Sequence, residues 1–464
     1  MARFPDLPNE LVREVMTYVM PEDIENFSLI SKRFYAVALP LLKEHRELRV
    51  RYSDFDDIGK AAFFGCRFEF DYLDYLIRTN CTLGDSFSNL LIDVLANRRM
   101  ALYIKELRLD GWFLEWESMI PDPSRERHEH RPYTQEQFVL FKQALSRYVL
   151  PGKLETWIEE LESGHEGPII RLLLILLPRI KSIKFQWWSE VVHQLREVIE
   201  RIRTDCIEDT PILSCLEQIN IQFEEYFINP ELRPLDLLAF LATIPSLKSL
   251  YGVYITAYGH SHDFSCLLPH SSNITDLGFK WCYISLEQLG EFLHGLKALQ
   301  TFSYSHDKHD EGRGDEVWWD PAGICKVLSA HAQRSLNVLG LRSVNEPKGP
   351  IENLQDFKVL KELTLSFSLF WRGTGYSMET FACALPESIQ KLSIHDIEVE
   401  HVSQIESTIQ ELVLFRPDRL PNLEKVCYCV SRDVHWPHWF SQNTDKLRKS
   451  CEDAGFELRF RNEE

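Results

Sequence analysis

Two histidine pairs stand out among the residues able to do chemistry. His306 and His309 alternate with Asp307 and Asp310, and His128 and His130 flank Glu129. Imidazole and carboxylate together hold divalent cations or move protons, but neither spacing is the i, i+4 pair that a helix presents to a metal. Solvated polar loops produce such clusters freely, so no metal is expected. His260-Ser261-His262-Asp263 follows an expected strand and could face a concave surface, yet it reads as a polar loop. The chain has no Gly-x-Ser-x-Gly elbow, P-loop or dinucleotide fingerprint, and Gly373-Thr374-Gly375 is too short to cradle a phosphate. Acyl transfer and nucleotide chemistry thus lack their local signatures, and neither an enzyme nor a cofactor is expected. The eleven cysteines are odd in number and scattered. Cys427 and Cys429 alternate along an apolar run, which puts both thiols on one face of a strand. Buried thiols, not a zinc site, are the expectation.

Binding remains, and charge narrows the partner. Lys and Arg number 51 against 70 Asp and Glu, a net charge of −19 over 464 residues. Such a chain has no broad basic face with which to displace counterions, so nucleic acid is not the expected partner. The longest near-continuous apolar run, Ile169 to Leu177, is interrupted by Arg171 and is about half of the ~20 residues that a membrane-spanning helix needs. No membrane association is expected. Met1-Ala2-Arg3-Phe4-Pro5-Asp6 lacks the apolar core of a secretory signal, which points to the cytoplasm or nucleus.

The elements that would position a binding surface begin at once. Leu7, Leu11, Val15 and Val19 recur every four positions, with Val12 widening the stripe, so the first helix has one apolar face. Asp6 stands where a cap could be, Pro8 suits a first turn, and Pro21 ends the helix. A short helix from Glu22-Asp23 and a third from Ser31 to about His45, with Pro40 as a kink or break, complete a unit too small to bury all of its apolar surface. Part of that surface should meet another molecule.

Leu7-Pro8-Asn9-Glu10-Leu11, then Met20-Pro21-Glu22-Asp23-Ile24, then Ile30-Ser31-Lys32-Arg33-Phe34 follow one another in an order and spacing that resembles an F-box. Ile30 and Phe34 replace the commoner Val and Trp with side chains of similar character. The resemblance covers about a tenth of the chain. It implies docking on a Skp-type adaptor, and through it a cullin, by Leu7, Pro8, Leu11, Val15, Ile30 and Phe34.

Beyond it, an apolar-x-x-apolar-x-apolar motif recurs. It stands at Ile104-Leu107-Leu109, Ile180-Ile183-Phe185, Leu216-Ile219-Ile221, Ile274-Leu277-Phe279, Leu299-Phe302-Tyr304, Leu336-Leu339-Leu341, Leu360-Leu363-Leu365, Ile389-Leu392-Ile394, Ile409-Leu412-Leu414 and Leu423-Val426-Tyr428. Leu247-Leu250 followed by Gly252 is an imperfect copy, and Phe456 to Phe460 reads as a last strand. Most intervals lie near the ~20–29 residues of leucine-rich repeats, and helical segments precede many of the motifs. The fold class expected is α/β, a three-helix F-box followed by an irregular repeat solenoid with a curved parallel sheet. The units resemble the divergent leucine-rich repeats of fungal F-box proteins. The expected division is 1–48 for the F-box, 49–103 for a helical linker and cap, and 104–464 for the solenoid, with insertions near 111–165 and 305–320.

Most of the eleven tryptophans lie beside strand motifs or in the insertions, and Trp and Tyr are typical of interface hot spots. Trp281 and Trp371 beside strands, and His306, His309, Trp318 and Trp319 in the second insertion, are the candidate target-binding residues. Outward strand positions such as Lys280, Ser303, Thr364, Ser366 and Ser393 would frame them with polar groups of neither sign in excess. By resemblance, the function expected is that of a substrate-recognition adaptor of an SCF ubiquitin ligase acting on an unidentified protein. The alternative is a binding protein or scaffold that directs no ubiquitination.

Overall fold

The alternation of apolar residues at the amino terminus closes three helices on each other: α1 (Asn9–Tyr18), α2 (Ile24–Ser28) and α3 (Lys32–Tyr52). A computed structural model of the chain describes residues 7–52, 86–109, 134–163, 167–187, 192–206, 213–223, 234–257, 263–306, 319–343, 347–351, 353–370, 381–397, 401–430 and 438–462. Val12, Met16, Ile24, Phe34, Val37, Ala38 and Leu42 form the core of the three helices, with Leu7, Val19, Phe27 and Leu41 packed at its margin. Pro40, expected to kink or break α3, lies inside it. Pro removes a single N–H from the helix ladder, and buried Val37, Ala38 and Leu42 hold the helix on both sides of that gap. Asp6 lies outside the described residues, and Pro8 itself occupies the position before α1.

Two compact units account for the described residues, one made of those up to 186 with 193–217, the other of those from 218 together with Trp187 and Val192. In the first, helices Ser86–Ala96, Gln135–Tyr148, Pro151–Glu162, Gly167–Leu176 and Val192–Asp205 join the three amino-terminal helices. Strands β1 (Glu106–Leu109) and β2 (Ser182–Trp187) pair in parallel, Leu107 against Ile183 and Leu109 against Phe185. Arg171, the charge inside the longest apolar run, is buried and ion-paired to Glu160, which also holds Arg201. Its guanidinium lies 4.2 Å from the centre of the Trp157 ring, whose N–H donates to Asp205 at 3.1 Å. A buried cation is tolerated where such pairing and ring contact replace water. Residues 110–133, the tryptophan-rich part of the first expected insertion, lie outside the described residues.

The second unit contains β3 (Gln218–Phe223), β4 (Ser249–Val253), β5 (Thr256–Ala257), β6 (Asp276–Ile284), β7 (Thr301–His306), β8 (Val338–Ser343), β9 (Glu362–Ser366), β10 (Lys391–Ile397), β11 (Lys425–Val430) and β12 (Glu457–Asn462). Their order in the sheet is their order in sequence, with β5 set aside against β6, and every pair is parallel. Parallel neighbours need crossovers, and helices such as Leu286–His294, Pro321–Ala332 and Val402–Phe415 supply them. Sequential stacking of this kind is an α/β solenoid-like arrangement.

Register explains the motif. Its second residue forms one row across the sheet: Ile219, Leu250, Leu277, Phe302, Leu339, Leu363, Leu392, Val426 and Leu458 stand opposite one another in turn. The third residue forms a parallel row from Ile221 to Phe460, and the first, such as Leu336, Leu360 and Ile389, is buried just before each strand. The imperfect copy fits because Ile255 does the missing work. A Cβ on Gly252 would come within 2.0 Å of the Ile255 Cδ1, so that side chain fills the space the absent one would take.

One motif was misplaced by its pattern. Ile409-Leu412-Leu414 is helical, inside Val402–Phe415. Ile405, Ile409 and Leu412 are fully buried at helical spacing, while Leu414, which a strand would bury, is 72% exposed. An apolar pair at i, i+3 serves either period, and the third residue decides.

Truncating Leu363 or Leu392 to Ala should cost about 2–5 kcal/mol, while Thr364→Ala, on the other face, should cost less than about 0.5 kcal/mol. Urea unfolding checks this, and equal costs at all three positions would refute the register.

Candidate functional site

The helical period of α1 splits its apolar residues between two faces. Val12 and Met16 are buried, whereas Leu11 and Val15 point outward at 46% and 37% exposure. Leu7 is half-buried, Pro8 is exposed and Ile30 is 60% exposed. Phe34, expected beside them on the docking face, belongs instead to the core: it is 1% exposed and its ring lies 5.6 Å from that of Phe27. Being the largest apolar side chain of its turn, it fills the space between the helices. Tyr18, Met20, Leu29, Tyr35 and Leu39 join the exposed set. Among the described residues, eight of the twelve exposed large apolar side chains fall between residues 11 and 39. A concentration of this kind marks a surface that is covered in use.

Long-range polar contacts fix this small unit in place. Arg33 donates to Asn9 Oδ1 at 2.8 Å and to the Leu7 carbonyl, and so ties the start of α1 to the start of α3. Arg99 donates to the carbonyls of Met16 and Thr17 at 2.8 and 2.9 Å. These are carbonyls of the last turn of α1, where the helix ladder runs out; that of Met16 also accepts the Val19 N–H at 3.2 Å. Tyr103 bonds the Arg99 guanidinium and His45 Nδ1, the latter at 2.8 Å. Arg179 grips Glu22 with both amino groups at 2.5 and 2.6 Å. That hydrogen-bonded guanidinium holds the Glu22 carboxyl below its usual range, while burial lowers the pKa of the His45 imidazole. Except for Tyr103 and Arg99, four residues apart, each partner lies 24 or more residues from the group it holds, so no local signal announces it.

In the second unit the candidate target-binding residues part company. Trp281 sits at an irregularity of β6, between Phe279 and Cys282, with φ of +53°. Its half-buried ring stacks on Tyr254 at 5.1 Å, Tyr254 also having a left-handed backbone at +56°, and Lys280 Nζ lies 4.0 Å from the ring centre. Two non-glycine residues in that region store strain that the surrounding sheet must hold. His306 and Trp319 are buried, at 7% and 3% exposure, and pack against each other and Tyr304. They underpin the face rather than present it. His309, Trp318 and Trp371 lie outside the described residues.

The outward row framed by these groups is polar but not uniformly open. Thr364 and Ser393 are half-buried, Ser303 is buried, and Ser366 is fully buried, its hydroxyl donating to Asp396 and accepting from the Ser343 N–H at 3.0 Å. Asp396, at φ +56°, also accepts from Arg342 at 2.9 Å. Among the described residues no group of three His, Cys, Asp or Glu side chains is placed to hold a metal ion.

Residues 4–42 match the family model of the F-box domain. No curated protein matches the chain. The matched stretch contains α1, α2 and the first half of α3, the same residues that carry the exposed apolar surface. F-box domains bind Skp1-type adaptors, and proteins that carry them are typically adaptors rather than enzymes. Among the described residues no helix is long and apolar enough to cross a membrane.

Burial holds the His306 pKa down at about 4 and also lowers those of His45 and His331. Between the ordinary value near 6.5 and those lowered values, the unfolded chain binds protons that the folded chain does not. Stability is therefore complete above about pH 6.5 and falls as the pH drops. For His306 alone the loss at about pH 5 is up to about 2 kcal/mol. His306→Gln should flatten the decline between about pH 7.5 and about pH 5 in urea midpoints, and an unchanged slope would contradict the assignment.

Proposed function

We propose that this chain is the substrate-recognition adaptor of a cullin-type ubiquitin ligase. The F-box docks on the Skp-type adaptor, and the stacked strand and helix units, read as divergent leucine-rich repeats, hold a protein target. The observation that carries the reading is the exposed apolar set Leu11, Val15, Leu29 and Ile30 on an F-box whose own core is complete without them. The chain performs no bond chemistry in this reading. It acts by proximity, since a target held near a charged ubiquitin carrier reacts as if the encounter were intramolecular. Residues 1–48 serve as the docking module, 49–103 as linker and cap, and 104–464 as the target-binding array, in the cytoplasm or nucleus.

Trp281 is the best-supported target contact, a half-buried ring stacked on Tyr254 with the Lys280 ammonium over it. Large rigid aromatics beside a polar field suit a specific protein segment.

Leu11→Asp places a charge where an apolar contact worth about 1.5–3 kcal/mol is expected, so adaptor affinity should fall at least about tenfold with no change in thermal unfolding. Val12→Asp should instead unfold the helices. Undiminished copurification of the adaptor with the Leu11 variant would overturn the docking face. Trp281→Ala should reduce capture of targets in cells with the ligase inhibited and leave adaptor copurification intact. Equal target capture would move the binding face elsewhere.

A further inference from the structure

The last strands of the sheet bring together a pair of thiols and a set of cations. Cys427 and Cys429 are alternate residues of β11, and Val426, Tyr428 and Val430 on its other face are fully buried. Their sulfurs lie 3.8 Å apart. Across the ladder Cys427 stands opposite Arg459 and Cys429 opposite Arg461, both on β12, and Lys425 precedes the pair on its own strand. The buried thiols of Cys206, Cys325 and Cys451 are pushed up to about 11, 12 and 12, by burial first and by the neighbouring Asp205, Asp320 and Glu452 carboxylates second. Cys427 departs from them, lowered to about 7. The hydrogen bond from the Cys429 thiol is the largest cause; burial opposes it, and the charges of Arg461, Lys425 and Arg459 assist.

A nucleophilic sulfur with a second thiol in contact is the arrangement that two-electron thiol oxidation requires. We propose that Cys427 and Cys429 form a reversible two-thiol oxidation site whose oxidant is a small peroxide. The Cys427 thiolate attacks one peroxide oxygen. A sulfur–oxygen bond forms, the oxygen–oxygen bond breaks, and the departing oxygen leaves as water after taking up a proton. The sulfur of Cys429 then gives up its proton and attacks the Cys427 sulfur. The disulfide forms, the sulfur–oxygen bond breaks, and that oxygen leaves as a second water. Two thiols and one peroxide thus become one disulfide and two waters.

Alternate Cα atoms of a strand are roughly 6.6 Å apart at the usual rise, near the upper end of the ~4.4–6.8 Å that disulfides span, and their parallel side chains set the Cβ atoms about as far apart, beyond the ~3.5–4.5 Å of a bridge. Closing the bridge therefore draws on the strand, and a strained bridge is readily reduced again by dithiols. The two residues keep 6% and 8% of their surface exposed, which favours a small oxidant over a protein thiol. The inference stands whether or not the chain serves a ligase.

The test uses the full chain, treated with one equivalent of hydrogen peroxide, alkylated and digested with trypsin. Cleavage after Lys425 and Arg432 leaves both cysteines in one peptide, residues 426–432. That peptide should appear lighter by two hydrogens, ahead of oxidation at exposed Cys215, and should recover both thiols with dithiothreitol. In the untreated chain, alkylation of Cys427 should have its midpoint near pH 7. Cys429→Ser should stop at a sulfenic acid on Cys427 that dimedone traps, and Cys427→Ser should slow oxidation of Cys429 at least about tenfold. Recovery of the peptide with both thiols free while Cys215 is oxidised would overturn the proposal. So would an alkylation midpoint at the ordinary value of about 8.5, which needs no variant to fold.

Discussion

Exact register between parallel neighbours is the constraint on which the second unit depends. Each of β3 to β12, apart from β5, meets the next at the same motif position. A slip of one residue would turn Leu363 outward and Thr364 inward, and the same inversion would pass to every strand beyond it. The apolar rows are therefore continuous because they must be, and loop length between strands is free to vary. Gly252 shows how tightly the rule binds. Where the row lacks a side chain, another residue of the same unit reaches in to fill it.

The amino-terminal helices obey a different constraint. A unit of this size has more apolar residues than interior, so its sequence must divide them. Val12 and Met16 go inside, and Leu11 and Val15, one position earlier in each turn, go outside. What distinguishes the two pairs is not hydrophobicity but angle around α1. The polar clamp formed by Arg33, Arg99, Tyr103 and Arg179 then ties these helices to one another and to the rest of the first unit.

Much of this was legible beforehand, and the failures have physical reasons. The apolar motif located β1, β2, β3, β4 and the later strands because a strand buried on one face repeats at two residues, and two successive motif positions suffice to reveal it. At Ile409 the same letters served a helix, since a three-residue interval fits both periods. The F-box was legible from its order of Leu-Pro, Pro turn and Lys-Arg, yet the docking face was not fully so. Phe34 is apolar like its neighbours, and only packing reveals that it points inward. Arg99 and Arg179 carried no signal at all, because a cation that binds a carbonyl or a carboxylate far along the chain looks like any surface cation. The aromatic candidates divided for a similar reason: Trp281 and Trp319 are the same residue type, but an irregularity exposes part of one and a cluster of rings buries the other.

The clamp also sets a timetable for synthesis. The carbonyls at the end of α1 find their donor in Arg99, 83 residues after Met16, and Glu22 finds its partner 157 residues later. At ~5–20 residues per second, a nascent chain holds its amino-terminal helices for roughly 10–30 s before Arg179 is made. During that interval the outward apolar residues are on offer while the contacts that fix their orientation do not yet exist. The helices that begin the protein are in this sense finished by a segment made much later, and a chaperone or partner that reaches them early meets a looser surface than the mature protein presents.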